Sequence, residues 1–299
     1  MNYSKPPLSI ADQIAMLEQR GMVFKDKSLA AHHLSHISYY RLRAYTFPYQ
    51  NNRDAAHPFW RPTPFERILN DYILDRKLRM LIFDALEKIE IALRTQIIYQ
   101  YSMAKGAYWY EDVSLFRNTT LFQSDLNHLD KELRRSQEEF IKHYAQKYTS
   151  PARPPAWMTL EVSTLGTLSK IYDNLALSAE KKAVARHFGL GHPFVLESWM
   201  KMFSHIRNIC AHHSRLWNRP ITIIPLFPQK PPYAWVSTNM LSEPHKVFAA
   251  LCCIRYFLNH ISPENDLTSK VQELERIFPE SNFRSMGVPT NWEKEPLWR

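Results

Sequence analysis

A long stretch without a helix breaker constrains the fold of this chain more than any other feature. Between Pro64 and Lys105 there is no further glycine or proline, and Gly106 follows directly. Residues Thr63 to Glu66 have the pattern of a capping box with proline at the first helical position. An unbroken helix over this stretch would be roughly 60 Å long. Because a helix of this length usually forms the spine of a bundle, we predict an all-α fold.

Helix signals also dominate the rest of the chain. Ser9, with Asp12 three residues later and Gly21 beyond the end, delimits a first helix. We expect residues 1–63 to form an N-terminal helical region packed on the bundle. Residues 64–299 are expected to form a helical domain that makes one compact unit with it. Further helices are predicted at Leu121–Tyr148, Trp157–Ala176, Ala179–Phe188, Glu243–Ile261 and Glu264–Phe278.

Residues 220–239 are predicted to be irregular, because their prolines disfavour both helix and strand. Phe227, Tyr233 and Trp235 lie in this segment. These aromatic side chains could stack on unpaired bases, as they do in proteins that bind single strands. We favour the alternative, in which they pin the loop to the bundle.

One helix is predicted from Pro193 to Pro220, since no glycine or proline lies between them and apolar residues recur at helical spacing. It contains the sequence R-N-I-C-A-H, with Arg207, Asn208 and His212, and His213 follows. Arginine is always charged and matches phosphate geometry, whereas histidine titrates near neutral pH. These residue types could form a phosphodiester site without a metal.

The orientation of the motif residues follows from helix geometry. At about 100° per residue, Ser204, Asn208 and His212 share one stripe, and Arg207 lies roughly 140° away from His212. Arg207 and His212 need not contact the same substrate atom, and a second copy of the helix could complete the site. The alternative is structural, because buried polar residues usually satisfy their neighbours. From the spacing alone, the structural role is favoured.

Five sequence blocks resemble, in order, those of the Abi-like family, the AbiD/AbiF group of bacterial phage-abortive-infection proteins. The resemblance extends from residue 5 to about residue 220. The blocks are KPPLSIADQIAMLEQRG (5–21), SYYRLRAYTFPY (38–49), YILDRKLRMLIFDALEKIEIALRTQI (72–97), WMTLEVSTLGTLSKIY (157–172) and SWMKMFSHIRNICAHHSRLWNRP (198–220).

That family belongs to the HEPN superfamily, whose signature is an arginine, a polar residue, a short spacer and a histidine. Arg207, Asn208 and His212 match this signature. The resemblance implies a HEPN-type helical bundle and a homodimer in which the two motifs face each other. It also implies a metal-independent endoribonuclease without cofactors, acting as a toxin or defence effector in the bacterial cytoplasm. A structured non-coding RNA, or a protein antitoxin, is the implied partner.

Charge and composition agree with a nucleic-acid substrate. The net charge of +9 and a sequence pI near 9.4 favour polyanionic partners. With only 6 glycines, the chain has neither a glycine-rich phosphate loop nor a dinucleotide fingerprint. There is no signal-peptide pattern and no apolar stretch long enough for a bilayer, so we expect no membrane association.

Glu90 and Arg94 are second-rank site candidates on the long predicted helix. A pair four residues apart usually gives a few tenths of a kcal/mol of surface support. In the family this helix packs beside the motif helix, so either residue could orient Arg207 or contact RNA. We favour the structural role.

Tyr40, Arg41 and Arg43 mix aromatic rings and cations in the manner of an RNA-binding surface. The same composition fits a helix whose tyrosines pack and whose arginines extend along the surface, and both interpretations stay open. Arg215, just after the motif, is a further low-ranked RNA contact.

Two histidine groups could be considered for metal binding. His32, His33 and His36 have compatible spacing but lack a nearby carboxylate or cysteine, so a solvated face is favoured. His205, His212 and His213 form the second group, but seven and eight residues separate His205 from the other two. No metal site is predicted.

The predicted mechanism is RNA cleavage by the substrate's own 2′-hydroxyl. His212 would act as general base or general acid, and Arg207 would stabilise the phosphate charge. Asn208 would orient the imidazole, and His213 is a second-rank candidate for the other proton transfer. The alternatives are a non-catalytic RNA-binding or sensor protein and a nucleotide transferase.

Overall fold

The computed structural model describes Asn2 and residues 6–299, so Lys5 of the first sequence block lies outside it. The described part is all-α, as predicted, with two short strands, β1 (Met22–Val23) and β2 (Thr63–Pro64), paired in parallel. Its α-helices are α1 (Ile10–Gln19), α2 (Lys27–Ile37), α3 (Tyr39–Thr46), α4 (Phe65–Lys105), α5 (Thr119–Arg135), α6 (Glu139–Lys147), α7 (Ala156–Thr159), α8 (Leu165–Asn174), α9 (Ala179–His187), α10 (Pro193–Ala211), α11 (Val247–Ile261) and α12 (Leu267–Ile277).

The breaker-free stretch forms a single helix of 41 residues, α4. The sequence predicts that this helix begins at Pro64, but it begins at Phe65 because Pro64 pairs with Val23 in the parallel ladder. The hydroxyl of Thr63 donates to the carbonyl of Arg61, 2.9 Å away. Gly106 ends the helix with φ +87°, a conformation that glycine adopts without strain.

The chain forms two compact units. The first comprises residues 1–79 and 271–282, and the second comprises residues 80–270 and 283–299. Helix α4 contributes residues to both units, with the change between Arg79 and Met80.

Buried carboxylates organise the first unit. The hydroxyl of Tyr45 donates to Asp75, which also accepts from Arg79, at 2.6 and 3.0 Å. Asp71 accepts from Tyr49 at 2.6 Å and from Ser281 at 2.7 Å. The bond from Ser281 holds the 271–282 segment against α4. Burial raises the pKa of Asp71, and the two hydroxyl donors oppose that shift.

The second unit is built around two apolar helices. On α10, Leu196, Trp199 and Phe203 are fully buried, and α11 is buried along nearly its whole length. Among the described residues, no helix is both long and apolar enough to cross a membrane.

Several predicted helices are divided or shortened. The prediction Leu121–Tyr148 is split into α5 and α6, and Trp157–Ala176 is split into α7 and α8. In the second case Thr164 caps α8 by accepting from the backbone N–H of Thr167, which begins a new helix. The helix predicted from Glu243 begins only at Val247.

The proline-rich segment is irregular up to Ser237, as predicted, and packs on α10. Trp235 stacks on Trp199 with ring centroids 5.7 Å apart. The indole N–H of Trp199 donates to the carbonyl of Leu226 at 2.6 Å. Tyr233 stacks on His260 at 5.2 Å. These contacts confirm that the aromatic side chains hold the loop to the bundle.

Candidate active site

Helix α10 carries the Arg-Asn-His motif and packs closely against α8. Gly166 of α8 faces Ser204, and a Cβ at this glycine would come within 3.3 Å of the Ser204 hydroxyl. The backbones approach closely because this position has no side chain. The motif is therefore carried on a helix that is fixed by the core of the second unit.

The motif helix ends earlier than predicted. Helix α10 stops at Ala211, and His212 is its C-cap. The N–H of Ser214 donates to Ile209 and the N–H of His213 donates to Cys210, at 3.0 and 3.1 Å. This is a Schellman motif, with His213 in the left-handed region at φ +55°. The prediction of one helix up to Pro220 is therefore wrong. The sequence contains no signal of this end, because a histidine occupies the left-handed position where glycine is usual.

Arg207 borders a surface depression of about 400 Å³. Its guanidinium carbon lies 5.7 Å from the ring centre of Phe83 on α4, a cation–π contact. The side chain is half-buried. The residues that line the depression are Phe83, Glu87, Glu90, Ile91, Arg94, Glu161 and Arg207.

The second-rank pair Glu90 and Arg94 lies in the same depression. Arg94 is only 8% exposed, and its Nη2 donates to Glu90 Oε1 at 2.7 Å and to the carbonyl of Ser163 at 2.9 Å. The pair ties α4 to the turn before α8, which is a structural role, although Arg94 is buried and not on the solvated surface. The structure brings both residues close to Arg207, and their part in chemistry stays a prediction.

The remaining motif residues point elsewhere. Asn208, His212 and His213 are exposed, and none of them is among the described residues that line the depression. Within one chain, Arg207 lines this depression and His212 does not, in agreement with their angular separation around the helix.

His205 is a motif-helix residue that was considered only as a metal ligand. It lies on the stripe of Asn208 and His212, about 20° from His212 around the helix. Its Nε2 is 3.5 Å from the hydroxyl of Thr222. Burial lowers its pKa, and the positive charge of Arg219 lowers it further, so the neutral imidazole is favoured at neutral pH. The seven-residue spacing from His212 was the available signal.

The three N-terminal histidines form a local cluster on α2. The rings of His32 and His36 have centroids 4.5 Å apart, and His36 Nδ1 lies 2.8 Å from the carbonyl of His32. No group of three His, Cys, Asp or Glu side chains in the described part of the chain is arranged to hold a metal ion.

The low-ranked RNA contacts are divided between the units. Tyr40 and Arg41 are exposed on α3, while Arg43 is half-buried with Nη2 3.2 Å from His57 Nε2. Tyr45 of the same block is buried. Arg215 is half-buried and belongs to the second unit. The packing interpretation therefore holds for Tyr45, and RNA binding by Tyr40 and Arg41 stays a prediction.

The described fold is thus an all-α protein with an Arg-Asn-His motif at the carboxyl end of a buried helix. A family model described as Abi-like protein matches residues 32–218, which is more than half of the chain and includes the motif. The chain belongs to this family, which links it to abortive infection, a form of defence against phage. No curated protein and no solved structure matches the chain.

Proposed function

We propose that this Abi-like protein is a metal-independent endoribonuclease of the HEPN type that acts as a toxin or effector in phage defence. The observation that carries the proposal is the placement of the motif. Arg207 lies in the last turns of α10, and His212 is the C-cap of the same core-packed helix. Arg207 is half-buried and His212 is exposed, so solvent reaches both. Catalytic groups on such an element hold their geometry better than groups on a loop.

The chemistry needs no group beyond these side chains and the RNA. One imidazole takes the proton of the 2′-hydroxyl while the 2′-oxygen attacks phosphorus. The bond to the 5′-oxygen breaks, and that oxygen receives a proton from a second acid. Arg207 stabilises the charge on the phosphoryl oxygens, as a guanidinium does in other phosphate sites. The products carry a 2′,3′-cyclic phosphate and a 5′-hydroxyl.

His212 is the first candidate for one of these proton transfers, and Asn208, one helical turn earlier, is the candidate for orienting it. The backbone carbonyl of Asn208 accepts from the N–H of His212 at 3.0 Å. His213 is the second-rank candidate for the other transfer, because the left-handed turn directs its side chain away from the regular helix path.

Charge in the depression supports a composite site made by two copies. Its lining contains three carboxylates (Glu87, Glu90 and Glu161) and two guanidinium groups, a formal charge of −1. A phosphate entering it from one chain would be repelled. A second motif helix opposite the first would add cations and would place a partner imidazole beside Arg207.

We therefore predict a two-fold symmetric dimer through the motif helices. Mass photometry at nanomolar concentration and light scattering at micromolar concentration should show a dimer. Activity retained by a protein that is monomeric at both concentrations would rule out the composite site.

The runner-up function is a non-catalytic RNA-binding or sensor protein. The observation in its favour is that Arg207 and His212 diverge within one chain. A His212→Ala protein that binds RNA as the wild type does, but no longer cleaves it, would decide for the nuclease.

Cleavage in the absence of divalent ions tests the proposed function. Purified protein should cut single-stranded RNA in excess EDTA and leave DNA of the same sequence intact, since DNA lacks the 2′-hydroxyl. The matched control is His212→Ala purified in the same way. Complete dependence on a divalent ion, or equal cleavage of the DNA, would remove this mechanism.

A further inference from the structure

Three large aromatic side chains of the first unit are mostly exposed. Tyr40 is 81% exposed, Phe47 is 54% exposed and Trp60 is 68% exposed. Single exposed apolar residues are common on protein surfaces and need no explanation. These three are of interest because Tyr40 lies on α3, Phe47 directly follows it, and backbone pairing joins Trp60 to the turn after it.

Tyr40 and Phe47 lie on one face of a continuous helical segment. Helix α3 passes directly into a 3₁₀ turn, Phe47–Tyr49. At about 100° per residue, Tyr40, Arg43 and Phe47 share a face, and the two rings are separated by about 10 Å along the axis. This spacing suits two or three bases of an extended strand.

Backbone pairing joins Trp60 to the carboxyl end of this helical segment. Its N–H donates to the carbonyl of Tyr49 at 2.9 Å, beside the antiparallel bridge between Gln50 and Phe59. Phe59 is buried, and successive side chains of an extended segment point to opposite faces. The indole of Trp60 therefore points away from the core of this unit.

The stretch of sequence that carries these rings has a net positive charge. From Ser28 to Phe65 the chain contains four arginines, and Asp54 is the only acidic residue. Arg41 and Arg61 are exposed, and each is next to one of the aromatic residues in sequence. The carboxylate of Asp54 accepts from the N–H of Ala56 at 2.8 Å.

We propose that Tyr40, Arg41, Arg43, Phe47, Trp60 and Arg61 form an aromatic–arginine surface that binds single-stranded RNA. The rings stack on unpaired bases, and the arginines contact the phosphates. A duplex hides the faces of its bases, so the surface selects single strands. The inference rests on the proposed function, because it names how the RNA substrate is held outside the motif.

The test measures affinity by fluorescence anisotropy, with a labelled 20-nucleotide oligouridine and a duplex of the same length. The full chain carrying His212→Ala is the host, so the probe stays intact. Trp60→Ala and Tyr40→Ala should each raise Kd for the single strand by about 5-fold to 100-fold, with little change for the duplex. Trp60→Phe should retain most of the affinity, because phenylalanine still stacks.

Trp157→Ala is the matched control, since Trp157 is 50% exposed and belongs to the second unit. Arg61→Gln is a charge variant that does not depend on packing. It should lower the slope of log Kd against log salt by about 0.7 for each phosphate that the variant no longer neutralises. Urea unfolding of each variant verifies that it is folded.

An unchanged Kd in Trp60→Ala and Tyr40→Ala would overturn the proposal. An equal loss in Trp157→Ala, or an equal loss for the duplex, would also overturn it. The outcome is separable from that of the nuclease proposal. Weaker binding by these variants, when the wild type does not cleave RNA, supports the surface and removes the nuclease. Cleavage of RNA by the wild type, with KM unchanged in Trp60→Ala, supports the nuclease and removes the surface.

Discussion

Replacing His212 or Arg207 with alanine should abolish the growth arrest that the wild-type protein causes when it is produced in bacteria without its natural partner. Loss of the imidazole removes a proton transfer worth about 10²–10⁴-fold in rate. Loss of the guanidinium removes stabilisation of the phosphate charge and weakens substrate binding as well. Growth curves at matched protein levels measure the effect.

The controls separate chemistry from folding. His192 is exposed at the opposite end of α10, where it stacks on Phe194. His192→Ala should therefore leave the protein toxic. Circular dichroism should show that the His212 and Arg207 variants keep their helices. A His212→Ala protein as toxic as the wild type would mean that the motif is structural.

The largest expected effect on stability comes from a buried ion pair that positions the motif helix. Lys181 of α9 lies 2.6 Å from Glu197 of α10, and both side chains are almost wholly buried. Lys181 also donates to the carbonyl of Leu175 at 2.6 Å. Lys181→Met leaves the carboxylate buried and unpaired, which should lower the free energy of unfolding by about 3–5 kcal/mol in urea titrations.

Two comparisons test this explanation. Lys270→Met removes an exposed pair with Asp266 and should cost at most about 1 kcal/mol. The double variant Lys181→Met with Glu197→Leu should recover much of the loss, because no charge is then left buried. Equal losses in the Lys181 and Lys270 variants would contradict a special role for the buried pair.

The features that local sequence signals specify were predictable. The 41-residue helix follows from the absence of breakers, and the irregular segment from its prolines. The different directions of Arg207 and His212 around α10 follow from helical spacing, whereas their part in catalysis stays a prediction. Two of the helix ends that were missed have no glycine or proline. Ser136 to Glu138 interrupts the predicted Leu121–Tyr148 helix with ordinary polar residues, and His213 ends α10 in a conformation that glycine usually adopts.

The surroundings of Arg207 could not be predicted, because they depend on contacts between distant parts of the chain. The depression joins α4, the turn at Glu161 and α10. The spacing of Glu90 and Arg94 is that of an exposed ion pair. The fold instead buries Arg94, which donates to the carbonyl of Ser163. Tertiary packing thus turned a spacing that is typical of an exposed ion pair into a largely buried contact.

The chemical ends of the RNA products test the central claim most directly. Wild-type protein and His212→Ala should be incubated with single-stranded RNA in excess EDTA, and the fragments analysed by mass spectrometry. We predict a 2′,3′-cyclic phosphate and a 5′-hydroxyl from the wild type, and uncut RNA from the variant. Fragments with a 3′-hydroxyl and a 5′-phosphate, or the same fragments at the same rate from His212→Ala, would contradict it.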